Sequence, residues 1–127
     1  MIVVDASVLI AAAEVADKHH ARAFQLLERH IDDDLRISPL TLAEFYVLPA
    51  RRGSLDLAVS AVRALGVVEV PLVDDAPVLL ARLRASTGLQ LPDCCVLLAA
   101  QTCSGTLATF DERLMVAATS CGVSLAT

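Results

Sequence analysis

The sequence predicts an α/β fold, a three-layer sandwich with a short parallel central sheet flanked by helices. One observation is alternation: β-rich runs such as Ile2-Val3-Val4 and Val67–Val70 take turns with stretches whose apolar residues recur at helical spacing. Another is continuity, since no linker, repeat or low-complexity segment interrupts residues 1–127, which read as a single domain. A third is that acidic residues stand where apolar runs give way to helices, as at Asp5 and Asp111.

Each element follows in order. Ile2–Val4 forms a strand closed by Asp5, and Ser7–Val15 a short apolar helix. Asp17 is the expected N-cap of a helix reaching Ile31, with Ala21, Phe24, Leu26, Leu27 and Ile31 on its apolar stripe. Leu35–Ser38 is a strand ended by Pro39. Thr41-Leu-Ala-Glu44 has the form of a capping box opening the next helix, which Pro49 should kink or end before Gly53. Leu55–Leu65 is helical up to Gly66, and Val67–Val70 is a strand. Asp74–Thr87 is helical up to Gly88. Leu91–Cys103 is apolar nearly all round and therefore central, with Pro92 in its first turn. Thr106–Thr109 is a strand, Asp111–Cys121 a helix and Val123–Leu125 a last short strand.

Composition narrows the function classes. The chain is 56% apolar, 3% aromatic and has a mean hydropathy of +0.64, so its core is built of Leu, Val and Ala. A domain this apolar has surface to spare for a partner or a second copy. No apolar run reaches the roughly 20 residues of a membrane span. The N-terminal run has no basic leader and is broken by Asp5 and Glu14, so a cytoplasmic protein is expected. The net charge of −5 argues against binding nucleic acid by blanket electrostatics. Cysteines 94, 95, 103 and 121 lack zinc-type spacing and read as buried thiols.

The chemistry therefore rests on four carboxylates, Asp5, Glu44, Asp93 and Asp111. In a parallel sheet the carboxyl ends of the strands share one edge, where ligands bind. Asp5, Glu44 and Asp111 each follow a strand by a few residues, so that edge is their expected place. Asp93 follows a helix, and its convergence is an inference. Singly, each acid is explained by helix capping or the helix dipole. Together they make a pocket of like charges that is costly unless a hard divalent cation occupies it. The hydroxyls of Ser7 and Thr109 suit such a hydrated Mg²⁺ or Mn²⁺ site.

The segments Ile-Val-Val-Asp-Ala-Ser-Val-Leu, Leu-Ala-Glu-Phe, Gly-Leu-Gln-Leu-Pro-Asp-Cys and Leu-Ala-Thr-Phe-Asp-Glu-Arg-Leu resemble the PIN-domain family, and within it the VapC toxin ribonucleases. The resemblance spans the whole chain in order and length. It implies catalytic acids at Asp5, Glu44, Asp93 and Asp111, metal held by Asp5, Asp93 and Asp111, and supporting hydroxyls at Ser7 and Thr109. It further implies Mg²⁺ or Mn²⁺ dependence, cleavage of RNA, a homodimer and a cognate VapB-like antitoxin. Two features depart from the family: Cys94 and Cys95 follow the third acid, and Pro49 sits where the antitoxin surface could change shape.

Arg22 and Arg29, seven apart on one helix face, and Arg51, Arg52 and Arg113 are candidate phosphate contacts, with solvated surface as their ordinary alternative. His19, His20 and His30 read as exposed helix residues, and Tyr46 as a core or interface residue. A Ser7 nucleophile lacks a histidine base. A receiver-like domain needs a lysine near the pocket, and Lys18, the only lysine, is badly placed. An Asp-x-Asp phosphohydrolase needs a second Asp where Ser7 stands. The remaining rival is a PIN-like domain that binds metal or partners without cutting.

Overall fold

Strand β1 (Ile2–Val4) is apolar at every position because both of its faces are covered. Val3 points into one core, while Ile2 and Val4 point into another on the opposite face. The computed structural model describes residues 1–126. Around β1 lie β2 (Leu35–Ile37), β3 (Val68–Glu69) and β4 (Thr106–Ala108), all parallel, in the order β3-β2-β1-β4. Val3 pairs with Arg36 on one side and Leu107 on the other.

The helices are α1 (Ala6–Ala13), α2 (His20–Arg29), α3 (Pro39–Arg52), α4 (Leu55–Ala64), α5 (Ala76–Thr87), α6 (Leu91–Cys103) and α7 (Glu112–Ser120). Buried residues of α1 to α4 fill the core with Ile2 and Val4, and those of α5 to α7 fill the core with Val3. The predicted three-layer sandwich is what forms. Helix α6 packs against α3, α5, α7 and two strands, and Cys94 to Ala100 are all buried.

Strand order decides where a ligand can sit. From β1 the chain steps outward through β2 to β3, then returns to lay β4 on the other side of β1. Topology therefore reverses between β1 and β4, and parallel sheets open a crevice at that point beyond the carboxyl ends. Asp5 leaves β1 there and Thr109 leaves β4 there. Helix α6 must run against the strands to deliver the chain to the start of β4, so its first turn, carrying Asp93, returns to the same edge.

Several local expectations are corrected. Asp17 does not cap α2; its carboxylate accepts from the His19 N–H (2.8 Å) in a turn, and the helix begins at His20. The α2 stripe is Ala23, Leu26 and Leu27, with Phe24 and Ile31 more than half exposed. Thr41 and Glu44 form no capping box. Helix α3 starts at Pro39 straight after β2, because Pro fixes a helical φ and needs no N–H partner there. Pro49 does not end that helix. It forfeits one backbone bond near the terminus, and Gly53 stops the helix in the left-handed conformation (φ 74°) only Gly adopts freely. The predicted last strand reduces to a parallel bridge of Leu125 on Leu107.

Ser38 Oγ and Thr41 Oγ1 are buried, and neither has a hydrogen-bond partner among the described residues. An orphaned hydroxyl carries a desolvation cost that a methyl of the same shape does not. Thr41→Val is therefore expected to raise stability by about 1 kcal/mol in thermal unfolding. A loss of stability instead would show that an ordered water satisfies the hydroxyl.

Candidate functional site

Asp5 anchors the site. It is extended at the N-cap of α1, and its Oδ1 accepts from the Ala6 N–H (2.8 Å). Oδ2 accepts from Ser7 Oγ (2.7 Å) and Thr109 Oγ1 (2.8 Å). The Asp5 N–H donates to Ala108 O, which ties the end of β1 to the end of β4. Both hydroxyls also accept: Ser7 Oγ from the Phe110 N–H (3.1 Å), and Thr109 Oγ1 from the Asp111 N–H (3.0 Å). Each hydroxyl thus spends its proton on Asp5 and a lone pair on the β4–α7 turn. They position the acid and the turn together.

Asp111 caps α7, its Oδ1 accepting from the N–H groups of Arg113 (2.9 Å) and Leu114 (3.3 Å). The capping reading holds for this residue, and its charge also bears on Asp93. One oxygen serves the helix, and the carboxylate stays fixed beside the crevice.

Asp93 and Glu44 complete the set electrostatically. The Asp93 carboxyl is pushed above its ordinary range, first by burial and then by the charges of Asp5 and Asp111, with Arg113 opposing. Glu44 is raised first by burial, then by Asp5 and Asp93. Glu44 presents more surface to solvent than half-buried Asp93, so screening weakens the charges it feels. Neither carboxylate has a hydrogen bond or ion pair among the described residues. Asp93 thus feels acids at the starts of α1 and α7, and Glu44 feels acids at the starts of α1 and α6.

That donor set fits a hard divalent cation, which would offset the burial and the neighbouring charges that lift Asp93 and Glu44. Among the described residues, no three His, Cys, Asp or Glu side chains already form a closed metal-binding group.

The cations are distributed unevenly. Arg113 is exposed in the first turn of α7 and bears on Asp93. Arg22 lies over the Phe110 ring at 5.2 Å, beside the turn that holds Thr109. Arg51 is exposed at the far end of α3, and no contact brings it to the four acids. Arg52 pairs with Glu14 (2.8 Å). The histidines are tethered rather than exposed: His19 stacks on Phe110, His20 Nδ1–H donates to Ala11 O (2.8 Å), and His30 meets Asp33. Tyr46 packs partly buried beside Phe45. All four cysteines are free; Cys94 and Cys95 are buried, and burial raises both thiols. Cys103 and Cys121 are only partly buried.

Sequence reasoning missed the stacked unit of His19, Phe110 and Arg22. Its only sequence signal was an aromatic residue between Thr109 and Asp111.

Among solved structures, the VapC20 toxin of Mycobacterium tuberculosis, described as Sarcin-Ricin loop cleaving, matches with a TM-score of 0.69 at 18% identity. The match covers 92% of this chain and 95% of that one. The Pyrobaculum aerophilum protein PAE2754 matches with a TM-score of 0.58 at 23% identity, over 91% of this chain and 84% of that one. These likenesses speak to the fold. Comparison with curated proteins gave no match. Among the described residues no helix is long and apolar enough to cross a membrane. A family model described as PIN domain matches residues 2–119. Because that match extends from β1 into α7, across every element that carries one of the four acids, this chain belongs to the PIN domain family.

Proposed function

We propose that this chain is an endoribonuclease that depends on Mg²⁺ or Mn²⁺ and acts as the toxin of a type II toxin–antitoxin pair. One observation carries the reading: burial raises both Asp93 and Glu44, and beyond it Asp93 feels the charges of Asp5 and Asp111 while Glu44 feels those of Asp5 and Asp93, acids that share no element of the fold. Membership of the PIN family supports nuclease chemistry. The solved VapC20 is by its description a Sarcin-Ricin loop cleaving toxin, and this likeness of fold supports the toxin reading here.

In this reading Asp5, Asp93 and Asp111 would hold the cation, whose chemistry, when bound, would be a lowered pKa for an attacking water and positive charge beside the phosphate. The remaining work belongs to the chain. Ser7 and Thr109 keep the Asp5 carboxylate turned into the crevice. The cap on α7 keeps Asp111 from swinging out. Glu44, the most exposed of the acids and raised in pKa, accepts a proton from the attacking water at its carboxylate. Arg113, beside Asp93, and Arg22, beside Thr109, receive substrate phosphates, with Arg51 a more distant contact.

The proposed partner is a VapB-like antitoxin. Supporting it is an apolar cleft of about 470 Å³ between α1, α2, α3 and α4, lined by Leu9, Phe24, Leu27, Ile31, Phe45 and Leu65. Phe24 and Ile31 are exposed there without cover, as suits an amphipathic partner helix. The proposed state is a cytoplasmic homodimer, supported by exposed Leu72, Val78 and Leu91 on the opposite half.

The alternative, a PIN domain that binds without cutting, draws on the absence of a closed acid cluster among the described residues. The deciding experiment is cleavage of a structured RNA pool with Mg²⁺, Mn²⁺ or EDTA, beside Asp93→Asn. Cuts that need metal and vanish in the variant support the nuclease. Folded, antitoxin-free protein that never cuts favours the alternative.

A further inference from the structure

A second cleft opens beside the acids, between α2 and the β4–α7 turn. It encloses about 380 Å³ and shares Thr109 with the site already described. One wall is a single face of α2, with Arg22, Gln25 and Arg29 at positions i, i+3 and i+7. The rest of the lining includes Phe110, Met115 and Leu125. Basic, hydrogen-bonding and apolar side chains thus line one cleft.

Two features bear on these arginines. Arg36 and Arg52 are each paired with a carboxylate, whereas the side chains of Arg22 and Arg29, like those of Arg51, Arg63, Arg82 and Arg113, have no ion pair or hydrogen bond among the described residues. The Phe110 ring, steadied by His19 at 4.7 Å, also holds the Arg22 guanidinium at 5.2 Å. Arg22 is thereby kept at the mouth of the cleft, next to the hydroxyl that orients Asp5. Arg29 stands two turns away, about 10 Å along the axis, a distance suited to backbone groups of an extended strand.

We propose that this cleft is the subsite for single-stranded RNA on one side of the cleaved bond. Arg22 and Arg29 take two backbone phosphates, Gln25 meets a base edge, and Met115 and Leu125 contact the base. Phe110 acts as a positioning residue for Arg22. The apolar lining needs an unstacked base, which a duplex cannot offer. The inference rests on the ribonuclease reading and deepens it.

The test measures binding of a short fluorescein-labelled single-stranded oligoribonucleotide, and of its duplex, to Asp93→Asn protein in Mg²⁺ across a salt series. Adding Arg22→Ala and Arg29→Ala together should cut the dependence of log affinity on log salt by about 1.4, at about 0.7 per phosphate on a single strand. Phe110→Leu, which keeps apolar bulk, should weaken affinity about two- to fivefold and leave that salt dependence unchanged, because Arg22 keeps its charge. Arg82→Ala, an exposed cation on α5, is the control and should change neither. Thermal unfolding checks that each variant is folded. If parent protein cuts RNA yet the double-arginine variant binds with unaltered affinity and salt dependence, the cleft is not the subsite. Tighter binding of the duplex than of the single strand also overturns the proposal. If the parent neither binds nor cuts RNA, it is the ribonuclease reading that has failed.

Discussion

Asp93→Asn is expected to abolish metal-dependent cleavage while making the metal-free protein more stable. A bound cation contributes several kcal/mol of transition-state stabilisation, so losing one ligand should lower the cleavage rate about a hundredfold or more. Stability should move the other way, because burial and neighbouring acids raise the Asp93 carboxyl. A carboxyl raised in the folded state binds a proton more readily there than in the unfolded chain. Its penalty is in full force above the raised folded value and disappears below the unfolded one. In EDTA the parent should therefore gain stability as pH falls through that window, and Asp93→Asn should gain less. Added Mg²⁺ should stabilise the parent at neutral pH, by about 2.7 kcal/mol at a hundred times its dissociation constant. Melting curves at several pH values, with and without metal, check every part of this. An Asp93→Asn protein that is less stable than its parent in EDTA at neutral pH would refute the electrostatic account of the site.

Asp5 should behave quite differently. Its carboxylate accepts three hydrogen bonds, from Ala6, Ser7 and Thr109, and is 7% exposed. Asp5→Ala removes an N-cap and leaves two hydroxyls without their acceptor. The expected loss is about 3 kcal/mol or more, roughly 10 °C in melting temperature, on top of lost activity. A double-mutant cycle separates the causes. Once Asp5 is Ala, adding Thr109→Val should cost much less than the same change in the parent, because the two share one bond. Additive losses would mean that Thr109 acts through something other than Asp5.

The contrast between these two acids marks the boundary between sequence and structure. Alternating β-rich and amphipathic stretches determined the sandwich, since only a sheet covered on both faces uses a strand like Ile2-Val3-Val4. The same logic predicted the central helix, because Cys94 to Ala100 leave no polar face for solvent. All four candidate acids were visible too, each where the sequence led one to expect a helix to open, although Glu44 lies in the second turn of α3. Local signals failed where two rules competed. Thr41 and Glu44 have the spacing of a capping box, but Pro39 starts α3 earlier. Pro49 has the look of a helix end, yet near a C-terminus it forfeits only one bond, and Gly53 sets the stop.

What the tertiary structure alone decided is which acids share a field and which hold a bond. Asp93 reaches the sheet edge because α6 must run against the strands to feed β4. Ser7 and Thr109, some hundred residues apart, both give their protons to Asp5 because parallel pairing brings the ends of β1 and β4 together. Periodicity is a property of neighbours along the chain. Charge and hydrogen bonding act through space, so they became legible only once the strand order was known.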